Sequence, residues 1–163
     1  MNDECNIPAP YAHQKSTRDF IVKTKTCLIT SDPGTGKTRA VLDAHAILGG
    51  KTLVLAPLSI LEAAWGEDIR KFQPQIKYGV AYAKNRKQVF EDSENEMVIT
   101  NFEAVNFLQK HPQYCKQFDT IVIDEFTAFK NRQAKRSKNL SKIISYFTNR
   151  IAMSGTPNSN TIL

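Results

Sequence analysis

The chain has 163 residues, 41% of them hydrophobic, which is enough for one domain with a real hydrophobic core. Its net charge of +6 is compatible with a polyanionic partner such as nucleic acid, although a soluble basic protein without such a partner has the same charge. The three cysteines Cys5, Cys27 and Cys115 form no C-x-x-C pair, which argues against a disulfide framework or zinc site and favours inert thiols in a reducing, intracellular compartment. A polar N-terminus and the absence of apolar runs near roughly 18–20 residues predict no signal peptide and no membrane span.

Short apolar runs alternate with amphipathic stretches along the chain. Several runs are rich in Val and Ile and are interpreted as buried strands. These runs are Thr26–Thr30, Thr52–Ala56, Tyr78–Ala83, Met97–Thr100, Ile121–Ile123 and Ile151–Met153. Strands that alternate with helices predict an α/β fold with a parallel sheet and helices on both faces. Ligands bind such sheets at the carboxyl ends of the strands, so we expect the functional residues directly after the apolar runs.

Apolar stripes with helical spacing lie between the predicted strands. They contain Val41, Ala44, Ile47 and Leu48; Leu61, Trp65, Ile69 and Phe72; Phe102, Val105 and Leu108; and Leu140, Ile143, Ile144 and Phe147. We interpret these stripes as helix faces that pack in the core rather than as cofactor contacts. Gly49-Gly50 is typical of the end of the first helix, and Pro74 is expected to halt the second.

A phosphate-binding loop follows the first predicted strand, in the sequence SDPGTGKT at positions 31–38. It matches the pattern G-x-x-x-x-G-K-[ST] except that Ser31 replaces the first glycine. An ordinary strand-to-helix turn is the alternative, but the position between a strand and an amphipathic helix favours a nucleotide site. We expect Lys37 to reach the β and γ phosphates and the Thr38 hydroxyl to ligate Mg²⁺. The ATP-binding residues predicted in this segment are Asp32, Pro33, Gly34, Thr35, Gly36, Lys37, Thr38 and Arg39.

An acidic pair, Asp124-Glu125, ends the apolar run in FDTIVIDEF. Alone, such a pair is usually a solvated turn. Together with a phosphate loop it is typical of a nucleotide hydrolase, in which one carboxylate holds Mg²⁺ and its neighbour orients the attacking water. We therefore predict that Asp124 is a metal ligand and that Glu125 and Lys37 are catalytic.

The motifs and their order resemble the first RecA-like domain of a superfamily 2 helicase, and within that superfamily the Snf-type DNA translocases that include chromatin remodellers. The resemblance covers nearly the whole chain. It is carried by Gln14, similar to an upstream glutamine that reads adenine; by SDPGTGKT (motif I); by LVLAPLSILEAAW with Ala56, Pro57 and Trp65 (motif Ia); by VITNFE (motif Ib); by IDEF (motif II); and by MSGTPNSN with Ser154, Gly155, Thr156 and Pro157 (motif III).

The resemblance implies that residues 1–163 form an N-terminal RecA-like ATP-binding domain without the second RecA-like domain. It implies ATP and Mg²⁺ as cofactors, adenine recognition by Gln14, and a coupling role for Ser154 and Thr156. It also implies a nucleic-acid track along the backbone of duplex DNA. The residues predicted for that track are Ser59, Thr100, Asn101, Lys130, Arg132, Lys135 and Arg136. For the basic segment FKNRQAKRSK a solvated helix face is the alternative.

The chain departs from the family's pattern after the acidic pair. Family members often carry Ala-His there, whereas this chain has Phe126-Thr127. Position 127 helps to couple the nucleotide to motif III, so that coupling is in doubt here. The family's arginine finger belongs to the second domain and raises the rate by about 10³–10⁵ in related enzymes. We therefore expect this chain alone to bind ATP weakly and to hydrolyse it slowly or not at all.

Two function classes remain open from the sequence. The first is the ATP-binding half of an ATP-driven DNA translocase or helicase, completed by a second RecA-like domain in cis or in trans and acting in the cytoplasm, at the nucleoid or at a viral replication site. The second is a stand-alone module that keeps the fold but acts by binding DNA or a protein. A third class, an unrelated P-loop enzyme such as a small kinase, would need a substrate pocket and lid, and no segment has that pattern.

Overall fold

The computed structural model describes residues 7–30, 36–132 and 134–155, and the side chains within these ranges except at positions 131, 132 and 134. The helices are α1 (Ala12–Thr24), α2 (Lys37–Leu48), α3 (Glu67–Phe72), α4 (Arg86–Glu91), α5 (Ala104–Lys110), α6 (Phe126–Arg132) and α7 (Ala134–Ile143). The strands are β1 (Thr26–Thr30), β2 (Thr52–Ala56), β3 (Tyr78–Ala81), β4 (Met97–Asn101), β5 (Thr120–Ile123) and β6 (Asn149–Ser154). Short 3-10 turns occupy Leu58–Ile60, Pro112–Gln117 and Ile144–Tyr146, and a π-helical segment at Leu61–Gly66 runs into α3.

The six strands form one parallel sheet in the order β1-β6-β5-β2-β4-β3. Each predicted strand is present, and β1 and β2 have the predicted bounds. The connections β1-α2-β2 and β4-α5-β5 each carry the chain over a face of the sheet, as parallel pairing requires. The predicted α/β class with a parallel sheet is confirmed.

The core has two layers, one on each face of the sheet. Successive strand residues point to opposite faces, so Leu53 and Leu55 of β2 belong to one layer and Val54 and Ala56 to the other. Helices α1, α2 and α3 cover the second of these layers, and α5, α6 and α7 cover the first. Because β2 is central, both of its faces are covered and it is fully buried.

Some helical predictions need correction. Ile47, assigned to a core-facing stripe, is 56% exposed. The buried side of α2 instead runs from Arg39 to His45 and includes polar residues that have partners. Phe102 and Phe147 lie in the core as predicted, but outside the helices. Helices α1, α4 and α6 were not predicted. In α1 the buried residues are Gln14 and Ile21, so its sequence has little of the apolar periodicity by which a helix is recognised.

The described cysteines, Cys27 and Cys115, are buried free thiols. Burial raises the pKa of the Cys27 thiol to about 11 and that of Cys115 to about 12. Both thiols are therefore protonated and inert near neutral pH, as predicted. Among the described residues there is also no helix with the length and apolar character needed to cross a bilayer.

Candidate nucleotide site and second cavity

A cavity of about 450 Å³ opens at the carboxyl edge of the sheet, where β1, β6 and β5 lie side by side. We call it the nucleotide cavity. It is lined by Gln14, Gly36, Lys37, Thr38, Arg39, Asp68, Lys71, Phe72, Asp124, Glu125, Met153 and Gly155. The structure thus brings together seven of the predicted site residues from three separate parts of the chain. The predicted ATP contacts Asp32, Pro33, Gly34 and Thr35 lie outside the described residues.

Helix α2 begins at the nucleotide cavity, directly after Gly36. Gly36 has the left-handed backbone angles φ 77° and ψ 34°, which glycine adopts at little cost. A Cβ atom at this position would lie 2.0 Å from Nε2 of Gln14, so a side chain here would also displace that amide. The first N–H groups of a helix have no partner within it, and they carry the positive end of the helix dipole. This arrangement is suited to an anion such as a phosphate.

Gln14 is buried beside Gly36 and connects the start of α1 to the phosphate loop. Its Oε1 accepts a hydrogen bond from the Tyr11 backbone N–H at 2.8 Å, and its Nε2 donates to the Gly36 carbonyl at 3.4 Å. Both ends of the amide therefore have partners within the chain. Adenine recognition by Gln14 remains a prediction, and any such contact would have to be made in addition to these bonds or in exchange for them.

Arg39 forms one wall of the nucleotide cavity and is held by three partners. Its Nε donates to Asp43 at 2.9 Å, its Nη1 donates to the Pro8 carbonyl at 2.9 Å, and its guanidinium lies 4.4 Å from the centre of the Phe72 ring. The sequence predicts Phe72 as part of a core stripe. It did not predict that Phe72, Asp68 and Lys71 line this cavity. A helical stripe cannot show which residues at its end reach a cavity formed by another element.

Asp124 is 7% exposed and held on both carboxylate oxygens. Its Oδ1 accepts the Glu125 backbone N–H at 2.9 Å, and its Oδ2 accepts the Trp65 indole N–H at 2.9 Å. Burial raises the pKa of Asp124, while the Trp65 hydrogen bond, the Glu125 N–H and the Lys37 charge act in the opposite direction. These donors compensate part of the cost of keeping a charged carboxylate out of water.

Glu125 has a positive φ of 54°, in the left-handed region that only glycine adopts without strain. For other residues this conformation costs roughly 1–2 kcal/mol. Strained backbone of this kind is often found at functional sites, where the surrounding structure holds a side chain in a useful direction. Glu125 lines the nucleotide cavity, so the strained residue belongs to the candidate site.

The donor chemistry of the nucleotide cavity fits Mg²⁺ bound together with a polyphosphate. The described residues contain no group of three or more His, Cys, Asp or Glu side chains that could hold a metal by themselves. Mg²⁺ commonly uses one or two protein oxygens and completes its shell with phosphates and water. Thr38 and Asp124 both line the cavity and offer a hydroxyl and a carboxylate. Each carboxylate oxygen can accept more than one bond, so both Asp124 oxygens can still accept a metal or water.

A second cavity of about 540 Å³ lies further along the same edge of the sheet, after β2 and β4. We call it the second cavity. It is lined by Pro57, Leu58, Ser59, Asn101, Phe102, Glu103, Ala128 and Arg136. Ser59 is exposed at its rim, and the Asn101 side-chain oxygen accepts a hydrogen bond from Nη2 of Arg86 at 3.1 Å. Two of the predicted nucleic-acid residues are thus found at this cavity in positions that solvent reaches.

Two other residues predicted to contact nucleic acid, Thr100 and Arg136, are buried and bonded within the chain. Arg136 is 3% exposed; its Nη1 donates to Glu103 at 3.2 Å, its Nη2 donates to the Phe129 carbonyl at 3.4 Å, and its guanidinium also lies over the Phe102 ring. Thr100 is fully buried, and its hydroxyl donates to the Ala81 carbonyl at 2.9 Å. Arg136 also lines the second cavity, and the nucleic-acid contacts of both residues stay predictions.

The remaining predicted cations on α6 and α7 differ from Arg136. Lys130 and Lys135 are exposed, as a contact with a phosphate backbone requires. The side chain of Arg132 lies outside the described residues. Ala128 and Arg136 place the helices α6 and α7 beside the second cavity, so the basic segment borders it.

The sequence pattern of the SNF2-related domain matches residues 11–163. The chain belongs to the SNF2-related family. This membership and the parallel six-stranded sheet confirm the predicted resemblance to Snf-type enzymes and the RecA-like fold.

Curated relatives of this SNF2-related chain are much longer proteins. An uncharacterized ATP-dependent helicase of Mycoplasma genitalium is 30% identical over 146 residues, which are 83% of this chain and 14% of the relative. The chromatin-remodeling ATPase INO80 of Neosartorya fischeri is 30% identical over 152 residues, which are 82% of this chain and 9% of that protein. The ATP-dependent helicase FUN30 of Saccharomyces cerevisiae is 28% identical over 84% of this chain and 13% of the yeast protein. The relatives' names support ATP use in this family.

A solved structure has the same fold as this SNF2-related domain. It is the SWI2/SNF2 ATPase core of Sulfolobus solfataricus in complex with double-stranded DNA, with a TM-score of 0.78 and 23% sequence identity. The match covers 95% of this chain and 34% of that chain.

The SNF2-related domain also has a hydrogen bond between α6, which follows the acidic pair, and the last strand, β6. The hydroxyl groups of Thr127 and Ser154 lie 3.1 Å apart. The sequence interpretation placed the coupling through position 127 in doubt because a histidine is common there in the family. Threonine nevertheless makes a direct contact with Ser154 in the motif III segment. Thr156 lies outside the described residues.

Proposed function

We propose that this SNF2-related domain binds Mg·ATP in the nucleotide cavity and is the ATP-binding half of a DNA translocase. One observation carries the proposal: Lys37, Thr38 and the acidic pair line one cavity, although about 90 residues of chain separate the two sequence motifs. By itself, a phosphate-loop pattern can be an ordinary strand-to-helix turn, and an acidic pair can be a solvated turn. Their convergence beside the N-terminal N–H groups of α2 has the chemistry of a triphosphate site.

The proposed roles follow from the residue chemistry. The Lys37 ammonium neutralises phosphate charge, and the α2 N-terminus donates N–H groups to phosphate oxygens. Thr38 and Asp124 would hold Mg²⁺, which when bound neutralises charge that develops on the transferred phosphoryl group. The Glu125 carboxylate, directed by its strained backbone, orients a water molecule and accepts its proton. Gln14 and Arg39, which line the same cavity, would contact the nucleotide.

A second part of the proposal concerns nucleic acid. We infer that a DNA backbone lies along the second cavity, near Ser59 and Asn101, and is attracted by Lys130 and Lys135. The exposed lysines and the net charge of +6 support a contact that is independent of sequence. The solved relative bound to double-stranded DNA favours duplex over single strands.

The proposed motor needs a second RecA-like domain. Nucleotide hydrolysis in this superfamily uses an arginine from the far side of the ATP cleft, so we propose that a second domain in cis or in trans supplies it. This proposal is supported by the length of the relatives, because this chain spans 9–14% of the curated relatives and 34% of the solved core. Ser154, in contact with Thr127, and Thr156 would transmit the state of the nucleotide to that domain. The protein would then act in the cytoplasm or at the nucleoid.

The proposal is tested by calorimetric titration of the chain with Mg·ATP. The wild type is expected to bind, and Lys37→Ala is expected to weaken binding by about 10–100-fold, because a charge-assisted contact to phosphate contributes roughly 1.5–3 kcal/mol. Lys110→Ala removes an exposed lysine from α5, away from the nucleotide cavity, and serves as the matched control. Equal binding by all three proteins, or none by the wild type, would contradict a nucleotide site at the phosphate loop.

A second arm separates the motor from the stand-alone binding module. In a protein that also carries the second domain, Lys37→Ala should abolish DNA-stimulated ATP hydrolysis while leaving DNA binding intact. If cellular function survives this substitution, the module that only binds would be the better description.

A further inference from the structure

Trp65 is the single tryptophan of the chain, and it is 0% exposed. It lies on the π-helical segment Leu61–Gly66, between the second strand and α3. The indole N–H is its sole polar group, and this group donates to Asp124 Oδ2 at 2.9 Å. Single π-helical turns are frequent at functional sites, because the extra residue redirects a side chain. Here the segment directs the indole at the acidic carboxylate of the nucleotide cavity.

Packing alone does not account for this partner. A buried indole N–H needs an acceptor, but a backbone carbonyl would satisfy it without bringing a charged group into the interior. The acceptor is instead a carboxylate whose charge burial disfavours. The Trp65 N–H and the Glu125 backbone N–H each hold one oxygen of Asp124, so the plane of the carboxyl group is fixed from both sides. The remaining acceptor positions of both oxygens then have a fixed direction.

We propose that Trp65 is a positioning residue, whose indole N–H orients the Asp124 carboxylate toward the Mg²⁺ of bound Mg·ATP. The inference rests on the proposed nucleotide site and adds a residue to it that does not line the cavity. Partners of metal ligands in other proteins typically change metal affinity by about 10–100-fold when they are removed. Because Trp65 is the single tryptophan, its fluorescence also reports directly on the state of Asp124.

The first experiment measures tryptophan fluorescence in the full chain during titration with Mg²⁺ in the presence of ATP. The emission of the wild type is expected to change with Mg·ATP and to change less with ATP in a chelator. In Asp124→Ala the Mg²⁺-dependent part should disappear, because the indole has lost the carboxylate through which it senses the metal. An unaltered Mg²⁺ response in Asp124→Ala would overturn the proposal.

The second experiment compares Trp65→Phe with the wild type by calorimetry at several Mg²⁺ concentrations. Removal of the N–H is expected to lower the affinity for Mg²⁺ in the presence of ATP by about 10–100-fold. The affinity for ATP without Mg²⁺ is expected to stay the same. The control is a substitution of Ile69, which is buried in the same core layer, to Val or Ala, chosen to match the melting temperature of Trp65→Phe. A control with the same loss of Mg²⁺ dependence would show that packing, not the hydrogen bond, is responsible.

A double-mutant cycle tests whether Trp65 acts through Asp124. Trp65→Phe should add no further loss to Asp124→Ala, because the group that it positions is gone. Additive losses would overturn the positioning role. If Trp65→Phe fails to fold, the tryptophan can be replaced during biosynthesis by benzothienylalanine, which keeps the fused rings and replaces the N–H by sulfur; the same loss of Mg²⁺ dependence is expected.

The outcomes separate this inference from the proposed function. If the wild type binds no Mg·ATP, both are wrong. If the wild type binds Mg·ATP and the Trp65 variants bind it with the same Mg²⁺ dependence, the nucleotide site stands and the role of Trp65 is overturned.

Discussion

The two cavities at the carboxyl edge of the sheet were anticipated from the sequence to very different degrees. In the nucleotide cavity, every predicted residue that the structure describes lines the wall, from Gln14 to Glu125. In the second cavity, Ser59 and Asn101 are accessible, but Arg136 is buried and bonded within the chain, and the predicted contact Thr100 is buried in β4 and does not line the cavity. The nucleotide residues were predicted from the phosphate-loop and acidic-pair patterns, whereas the nucleic-acid residues were predicted from the family resemblance and a basic run. The two predictions differed in the kind of sequence pattern on which they depended.

A phosphate loop is a pattern of fixed local geometry, in which each residue type has one role. A basic run is a composition, and a helix turns some of its members toward the core. On α7, Lys135 points to solvent, whereas its neighbour Arg136 points inward between two phenylalanine rings. Arginine tolerates that position because its long apolar stem packs while its guanidinium finds acceptors and aromatic faces. Helical spacing separates the two cations, because Arg136 lies four residues before Leu140 and seven before Ile143, on the apolar stripe, whereas Lys135 does not.

The largest effect on stability is expected from a substitution of Arg136, which lines the second cavity. Arg136→Ala should lower the free energy of unfolding by about 2–4 kcal/mol, because it removes the ion pair with Glu103, a bond to a backbone carbonyl and packing against two rings. Lys135→Ala should change it by less than about 0.5 kcal/mol. Urea denaturation of both variants measures the difference. Equal stabilities would show that Arg136 is effectively a surface residue.

Salt titrations of DNA binding sharpen the same comparison. Lys135→Ala should reduce the slope of log affinity against log salt by about 0.9, the value for one phosphate contact on duplex DNA. A folded Arg136→Lys variant should leave the slope unchanged, since the buried side chain neutralises no phosphate. A reduced slope for Arg136→Lys would return that residue to the nucleic-acid track.

The next effect tests the backbone geometry of the nucleotide cavity. Gly36→Ala should destabilise the chain by about 1–2 kcal/mol through its positive φ, with a further loss from the clash with Gln14. Adding Gln14→Ala should recover the part due to the clash but not the part due to φ. Thermal unfolding of the two single variants and the double variant checks this. Purely additive effects would mean that the two side chains do not meet.

A smaller effect is expected at the contact between Thr127 and Ser154. Thr127→Val removes the hydroxyl but keeps the shape, and it should cost about 1 kcal/mol of stability. Thr127→Ser, which keeps the hydroxyl, is the control for the hydrogen bond. A double-mutant cycle with Ser154→Ala measures the coupling energy between the two side chains. A coupling energy near zero would remove this contact as a route between the acidic pair and the last strand.

The smallest effect provides a reference far from both cavities, at the amino edge of the sheet. His45 is buried beside Thr52 and Glu96, and burial lowers its pKa from 6.5, partly offset by Glu96. The unfolded chain therefore binds the proton more readily, so His45 makes stability fall as pH decreases below 6.5 toward the folded pKa. His45→Gln should flatten the dependence of stability on pH below 6.5, as measured by urea denaturation at a series of pH values. An unchanged slope of stability against pH in His45→Gln would contradict the lowered pKa of His45.

Much of the fold followed from the sequence, since β1 and β2 have the predicted bounds and α2 ends before Gly49. Other features could not be predicted from local periodicity. The stripe at Leu61–Phe72 is expected to be one regular helix, but it begins as a π-helical segment, and the hydrogen bond from Trp65 to Asp124 joins residues 59 positions apart. The exposed Ile47 likewise depends on which side of α2 meets the sheet.

The sequence by itself determined the parallel α/β architecture and the family, and it predicts the chemistry of the candidate nucleotide site, because strand runs, glycines, Lys37 and the acidic pair act through local geometry and residue type. Only the tertiary structure decided with which partners the buried polar side chains are bonded. Arg136 pairs with Glu103, Thr127 with Ser154, and Trp65 with Asp124, across separations of 33, 27 and 59 residues. Pairs so distant in the chain meet only when the sheet and its helices have packed, so no local pattern encodes them.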